Sequence, residues 1–175
     1  FIPLLVVFVL YEMPIAFIVG YILVGATDYF DGIVARRFNM KTELGKKLDS
    51  LADLFFYLAS AWFLYALYKP YLEPNLLILY IFFGLLALSF IVSGILCKKP
   101  IMMHTLILKF NAVLVYFLVI FSAFFDTTYV IAAVIILYII GFIEEIAIFF
   151  VFGDIDPDSK SFFHLLREKK QEQGA

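Results

Sequence analysis

Long apolar runs, separated by proline, glycine and charged residues, most restrict what this chain can fold into. A helix that crosses a membrane needs about 20 mostly apolar residues; five segments reach that length and a shorter one precedes them. They cover residues 1–12, 14–38, 42–68, 75–97, 102–125 and 127–152. The first is interpreted as the tail of a longer helix, because the chain begins inside an apolar run. We therefore predict an all-α polytopic membrane protein with six transmembrane helices, the first truncated.

The composition supports a membrane protein. The chain is 65% hydrophobic, whereas soluble domains have about 45–50% apolar residues. The excess apolar surface must face lipid, and helices satisfy their own backbone hydrogen bonds there. The strict alternation of barrel strands is missing from the sequence. The single cysteine, Cys97, excludes an internal disulfide and a cysteine-based metal site.

Basic residues predict the orientation. Eleven of the thirteen Lys and Arg residues fall in the second-to-third connection, the fourth-to-fifth connection or the tail. Because cytoplasmic loops carry the excess of positive charge, these connections are predicted to be cytoplasmic. We expect residues 1–152 to form the transmembrane domain and residues 153–175 a cytoplasmic amphipathic or polar tail. The aspartates of the tail, Asp154, Asp156 and Asp158, could start a calcium loop, but the turn glycine and closing glutamate of such a loop are lacking.

Four aspartates lie inside two neighbouring apolar segments. Asp28 and Asp31 belong to the second segment, and Asp49 and Asp53 to the third. Asp28 and Asp53 each lie about ten residues from the basic connection, which is about 15 Å along a helix. Two antiparallel helices would bring all four carboxylates together in a polar cavity on the cytoplasmic side. Such charges would repel unless divalent cations neutralise them, and oxygen ligands favour Mg²⁺, Mn²⁺ or Ca²⁺. Four carboxylates can hold two ions.

Salt bridges between helices are the structural alternative for these acids. Their partners would be Arg36, Lys46 and Lys47. These basic residues lie nearer the membrane surface than the two deepest aspartates, which would remain unpaired at high cost.

These residues form a pattern that resembles the signature of the CDP-alcohol phosphatidyltransferase family. Eight residues match it over 26 positions, and the six-segment pattern resembles the family over nearly the whole chain. The signature residues are Asp28, Asp31, Gly32, Ala35, Arg36, Gly45, Asp49 and Asp53. The resemblance implies a membrane transferase of phospholipid biosynthesis, which moves a phosphatidyl-type group from a CDP-activated lipid to an alcohol and releases CMP.

The resemblance also implies a role for each residue. Asp28 and Asp49 would bridge two Mg²⁺ or Mn²⁺ ions, Asp31 would bind the first ion, and Asp53 the second. Asp53 would also accept the proton of the attacking hydroxyl. The CDP-lipid site would consist of Asp28, Asp31, Gly32, Ala35, Arg36, Thr42, Gly45 and Asp49. A homodimer is implied as well, and the predicted location is the plasma membrane with the active site facing the cytoplasm.

The acceptor alcohol stays open at this point, since glycerol 3-phosphate, an inositol phosphate, serine or a second lipid would all fit. A basic group at the fourth-to-fifth connection favours a phosphorylated polyol, such as glycerol 3-phosphate or an inositol phosphate. Its residues are Lys98, Lys99, His104 and Lys109. The alternative is positive-inside charge for the lysines of the connection, and a salt bridge from Lys109 to Glu144 or Glu145. Ser50 and Leu54 stand where the glycerophosphate branch of the family often has proline and lysine.

Two other functions are compatible with buried acids. A divalent-metal channel or transporter could use the cluster as an ion site, but it predicts acids through the full thickness of the bundle. The outer halves of these segments are almost entirely apolar. A catalytically silent membrane-interaction protein would not need Arg36, Gly45 and Asp53 in register.

Overall fold

The computed structural model describes residues 2–37, 43–98, 102, 103, 105–153 and 161–173. Within its helices, the side chains of residues 28–37, 43–50, 52, 53 and 168–173 lie outside the description. Every regular element in the described ranges is helical. The all-α prediction is confirmed.

The α-helices follow one another along the chain with short connections. They are α1 (Ile2–Leu10), α2 (Pro14–Arg37), α3 (Glu43–Leu67), α4 (Lys69–Leu72), α5 (Leu76–Leu96), α6 (Leu106–Phe121), α7 (Thr128–Phe152) and α8 (Phe162–Gln173). A 3₁₀ turn, Glu73–Asn75, joins α4 to α5. Helices α2, α3, α5 and α7 agree with the predicted second, third, fourth and sixth segments to within one residue at each end.

The predicted break after the third segment is present. Tyr68 leaves helical geometry, with φ −130° and ψ 39°, and α4 begins at Lys69 with Pro70 in its first turn. Proline suits this position because the first N–H groups of a helix have no partner within it. Lys69 and Glu73, both half exposed, form an ion pair at 3.4 Å one turn apart.

Helix α6 is shorter than the segment predicted over residues 102–125. Met102 and Met103 precede it in an irregular conformation but are buried, with 2% and 0% of their surface exposed. At its other end the chain leaves the helix after Phe121. Hydropathy shows that these residues are apolar, but it does not distinguish a buried irregular segment from a helix.

Two helical stretches in the described part of the chain are long and apolar enough to cross a membrane. They are Lys69–Leu96, which includes the 3₁₀ turn, and Thr128–Phe152. Shorter apolar stretches are Pro14–Thr27, Leu54–Leu67 and Leu106–Phe121. Large apolar side chains such as Leu77, Ile95 and Phe150 are more than two-thirds exposed, which suits contact with lipid. The count of six spans and the cytoplasmic-side cavity stay predictions.

The chain folds into two compact units. Unit 1 comprises Phe1–Pro74 and Val115–Thr128. Its core is aromatic: Phe17 of α2 meets Phe63 of α3 edge to face at 4.9 Å between ring centroids, and Tyr21 stacks on Tyr116 of α6 at 5.5 Å. Such pairs add to the free energy of burial, and they join α2, α3 and the end of α6.

Unit 2 comprises Asn75–Leu114 and Tyr129–Ala175. Phe82 of α5 packs against Tyr138 and Phe142 of α7, at 5.4 and 5.7 Å between ring centroids. In the same unit, the Asn111 side chain of α6 donates a hydrogen bond to the Val134 carbonyl of α7 at 3.3 Å. Asn111 is fully buried, so this bond gives a partner to an amide N–H whose burial would otherwise be costly.

Candidate active site

The signature positions lie on two continuous helices of unit 1. Helix α2 contains Asp28, Asp31, Gly32, Ala35 and Arg36, and α3 contains Gly45, Asp49 and Asp53. The spacing of three and four residues places each set on one helix face, as the sequence predicts. The side chains lie outside the described ones, so the predicted convergence of the carboxylates stays a prediction. Thr42 lies outside the described residues altogether.

The buried faces of the two helices run toward these positions. In α3, Tyr57, Ser60 and Leu64 are at most 5% exposed. In α2, Phe17 and Tyr21 are equally buried. By helical register, Asp53 comes one turn before Tyr57 in α3, and Asp28 two turns after Tyr21 in α2. The aspartate positions therefore share a helix face with these buried residues.

One close contact holds α2 directly before the first aspartate. The Tyr116 hydroxyl donates a hydrogen bond to the Ile22 carbonyl oxygen at 3.1 Å. Its ring lies where a side chain of Gly25 would be, since a Cβ there would come within 2.7 Å of the Tyr116 Cζ. Sequence reasoning did not single out Gly25 or Tyr116. The available signal was a glycine three residues before Asp28, where small residues often mark close helix approach.

The predicted acceptor residues belong to unit 2. Lys98 lies two residues after the end of α5, in the left-handed conformation with φ 56°, and is exposed. Lys109 lies in the first turn of α6 and is exposed as well. Lys99 and His104 lie outside the described residues. Glu144 and Glu145 accept hydrogen bonds from the backbone N–H groups of Phe162 and Met103 respectively. The predicted salt bridge from Lys109 stays a prediction.

Other predicted sites fall mostly outside the described part of the chain. The candidate calcium loop at Asp154, Asp156 and Asp158 lies there. Among the described side chains, no group of three or more His, Cys, Asp and Glu residues could hold a metal ion. The four signature aspartates are not among those side chains, so the predicted metal site stays a prediction.

Comparison with known proteins decides the family. The model of the CDP-alcohol phosphatidyltransferase family matches residues 1–143, which include both signature helices and most of α7. The chain belongs to the CDP-alcohol phosphatidyltransferase family. All eight signature residues lie inside the stretch that matches the family.

A relative within phospholipid synthesis is a CDP-diacylglycerol–glycerol-3-phosphate 3-phosphatidyltransferase from Rickettsia bellii (strain RML369-C). It is 38% identical over 55 residues, which cover 30% of this chain and 30% of the relative. The alignment thus spans less than a third of either protein. No solved structure matches the chain.

Proposed function

We propose that the protein is a membrane enzyme that transfers the phosphatidyl-type group of a CDP-activated lipid to an alcohol. In this reaction the acceptor oxygen forms a bond to the phosphorus that carries the lipid. The bond from that phosphorus to the oxygen shared with CMP breaks, and CMP leaves. The observation that carries the proposal is the complete eight-residue signature on α2 and α3, within a chain that belongs to the family.

Packing in unit 1 supports a shared depth for the aspartates. From the contact between Phe17 and Phe63, Asp28 lies eleven residues further along α2 and Asp53 ten residues earlier in α3. At 1.5 Å per residue these distances are about 17 and 15 Å. Helices joined by the short connection 38–42 are expected to be antiparallel, so both aspartates would lie at nearly the same height.

The donor set fits two Mg²⁺ or Mn²⁺ ions. All four candidate ligands, Asp28, Asp31, Asp49 and Asp53, are carboxylates, and oxygen is the donor these cations prefer. When bound, the ions supply positive charge that offsets the charge of the diphosphate. We assign Asp28 and Asp49 to both ions, Asp31 to the first and Asp53 to the second.

The remaining signature residues would bind and orient the nucleotide. Arg36 can donate a pair of hydrogen bonds to a diphosphate oxygen pair. Gly32, Ala35 and Gly45 leave space for the cytidine, and Thr42 would contact CDP. Asp53 would accept the proton of the acceptor hydroxyl, which makes that oxygen nucleophilic as the new bond forms.

For the acceptor we propose a phosphorylated polyol, with glycerol 3-phosphate as the first candidate. The name of the Rickettsia relative includes glycerol 3-phosphate, and its aligned part covers only 30% of that protein. The basic group at the α5–α6 connection, Lys98, Lys99, His104 and Lys109, could bind an acceptor phosphate. Ser50 and Leu54 differ from the residues common in the glycerophosphate branch, so inositol phosphate is the second candidate.

The proposed setting is the plasma membrane, with the active site facing the cytoplasm and two copies forming a homodimer. The positive-inside distribution of Lys and Arg supports this orientation, and the homodimer rests on the family alone. A divalent-metal channel or transporter is the weaker alternative, because membership of the family supports a transferase.

An acceptor screen tests the proposed function. Purified protein in detergent micelles is given radiolabelled CDP-diacylglycerol, each candidate acceptor, and Mg²⁺, Mn²⁺ or EDTA. We expect CMP release and a labelled phospholipid product with glycerol 3-phosphate, and neither with EDTA. Absence of CMP release with every acceptor and both metals would contradict the enzyme, and metal flux into proteoliposomes would then favour the channel.

A further inference from the structure

Two consecutive glutamates interrupt the apolar helix α7. Glu145 is fully buried and Glu144 partly so. Ionisable groups inside such a helix cost free energy and usually have a functional or structural role. Their hydrogen bonds to Met103 and Phe162 lie within unit 2.

Glu145 holds the connection between α5 and α6. Its carboxylate oxygen Oε1 accepts a hydrogen bond from the backbone N–H of Met103. Met103 lies outside any helix, so its N–H lacks the partner that helical geometry would supply. Met103 and Thr105 are fully buried, so water cannot replace the carboxylate without opening the connection.

A second contact one turn earlier holds the start of α6 against the same face of α7. A Cβ at Gly141 would lie 2.7 Å from Leu108 Cδ2 and 3.3 Å from Ile107 Cγ2. Gly141 and Glu145 are four residues apart and therefore share a face. A hydrogen bond thus holds Met103, and close packing at Leu108 holds the start of α6.

The other end of the connection is held by apolar packing. Cys97, 6% exposed, belongs to a buried cluster with Val92, Met103, Ile148 and Phe149. The next residue, Lys98, has a φ of 56°, a conformation that non-glycine residues rarely adopt. A lysine persists there only where its surroundings enforce the conformation. Lys98 is therefore held in one backbone conformation, with its side chain exposed.

Glu144 fastens α8 over the same cluster. Its Oε1 accepts a hydrogen bond from the backbone N–H of Phe162 at 2.9 Å. Phe162 and Leu165 of α8 pack against the cluster that contains Cys97 and Met103. The neighbouring glutamates thus hold two separate pieces of chain around one apolar cluster.

We propose that Glu145 is a positioning residue: by holding Met103 in the cluster that contains Cys97, it keeps Lys98 in the position in which it receives the phosphate of the acceptor. The carboxylate acts through the Met103 backbone and does not itself contact substrate. The role of Lys98 toward the acceptor rests on the proposed function. The role of Glu145 in holding Met103 does not.

The chain supplies its own reporter for the test. Cys97 is the single cysteine, it is buried, and it precedes Lys98 directly. A maleimide reacts with its thiol only when the packing of Met103 and the rest of the cluster around Cys97 opens. Glu145→Leu removes the oxygen that accepts the hydrogen bond of the Met103 N–H, whereas Glu145→Gln keeps an oxygen there. Glu73→Gln is the matched control, because Glu73 is an exposed glutamate of unit 1.

We expect Cys97 in Glu145→Leu to be labelled about tenfold faster or more, the change in an opening equilibrium when a buried N–H donor loses its hydrogen-bond partner. The substitution should also raise the KM for glycerol 3-phosphate several-fold and leave the KM for CDP-diacylglycerol unchanged. Glu145→Gln should stay near the wild type in both measurements, and Glu73→Gln should match it.

An unchanged labelling rate of Cys97 in Glu145→Leu would show that Glu145 does not hold Met103 over Cys97. Faster labelling with an unchanged KM for the acceptor would overturn the positioning role. If Glu145→Leu does not fold, Glu145→Asp decides, because its shorter side chain withdraws the carboxylate from Met103 and should speed labelling. A wild-type protein that releases no CMP would refute the proposed function, while the labelling rates would still decide whether Glu145 holds the connection.

Discussion

The ring of Tyr116 in α6 occupies the space beside the bare Cα of Gly25 in α2, three residues before Asp28. We expect Gly25→Ala to destabilise the protein by about 1–3 kcal/mol, because the added methyl forces the ring away and weakens the bond from Tyr116 to the Ile22 carbonyl. Thermal unfolding in detergent measures this. Gly84→Ala is the matched control, since no heavy atom lies within 4 Å of a Cβ at that glycine. Equal stability of the two variants would contradict the contact.

Asp49→Asn tests the metal-binding assignment. The amide has nearly the same size as the carboxylate but lacks its charge. We expect CMP release from CDP-diacylglycerol to fall about a hundredfold or more, as on loss of a group that stabilises transition-state charge, with an unchanged elution volume on gel filtration. Glu73→Gln, which removes an exposed carboxylate, should keep full activity. An active Asp49→Asn enzyme would refute the assignment.

The stability that Asp126 contributes at the start of α7 should depend on pH in the acidic range. Hydrogen bonds from the Thr128 hydroxyl at 2.7 Å and from its backbone N–H at 2.9 Å lower the pKa of Asp126. Because the folded pKa lies below its ordinary value, the stabilisation is present above the ordinary carboxyl range and lost as pH falls through the folded pKa. The stability difference between wild type and Asp126→Ala should shrink as pH falls from 6 to about 3. Asp126→Asn should show less of this pH dependence, and a constant difference for Asp126→Ala would contradict the pKa shift.

A buried hydroxyl pair closes the turn between α6 and α7. Ser122 donates to the Leu118 carbonyl at 2.8 Å and lies 2.6 Å from the Thr127 hydroxyl, so Thr127 is the donor within the pair. Ser122→Ala leaves the buried Thr127 hydroxyl without this acceptor and should cost about 1–3 kcal/mol. Thr127→Val keeps the bond from Ser122 to Leu118 and should cost less. A double-mutant cycle of unfolding free energies measures the difference, and the reverse order of costs would contradict this donor assignment.

The helices that sequence predicts best are those bounded by strong local signals. Pro14 starts α2, and Pro70 and Pro74 lie at the break between α3 and α5, so local rules suffice there. The α5–α6 connection is different. Met102 and Met103 look helical by hydropathy, yet they form buried irregular chain held by Glu145, which lies 42 residues away.

The candidate site also has one feature that local sequence predicts and one that it does not. The spacing of Asp28, Asp31, Asp49 and Asp53 predicts one face on each of two helices, because helical periodicity is a local property. The support for α2 comes from Tyr116, which is 94 residues from its bonding partner Ile22. No pattern in the sequence links the two, since packing partners are selected by the whole fold.

The length of α6 has a consequence for how the chain enters a bilayer during synthesis. Its 16 residues extend about 24 Å, less than the roughly 30 Å of a hydrocarbon core, and they include Lys109 and Asn111. Such a segment partitions poorly into lipid when alone. The 25-residue α7 offers Asn111 a carbonyl partner, and the hydroxyl-closed turn keeps the two helices adjacent. We expect α6 to remain in the translocation channel until α7 has emerged, and the two to insert together as a helical hairpin.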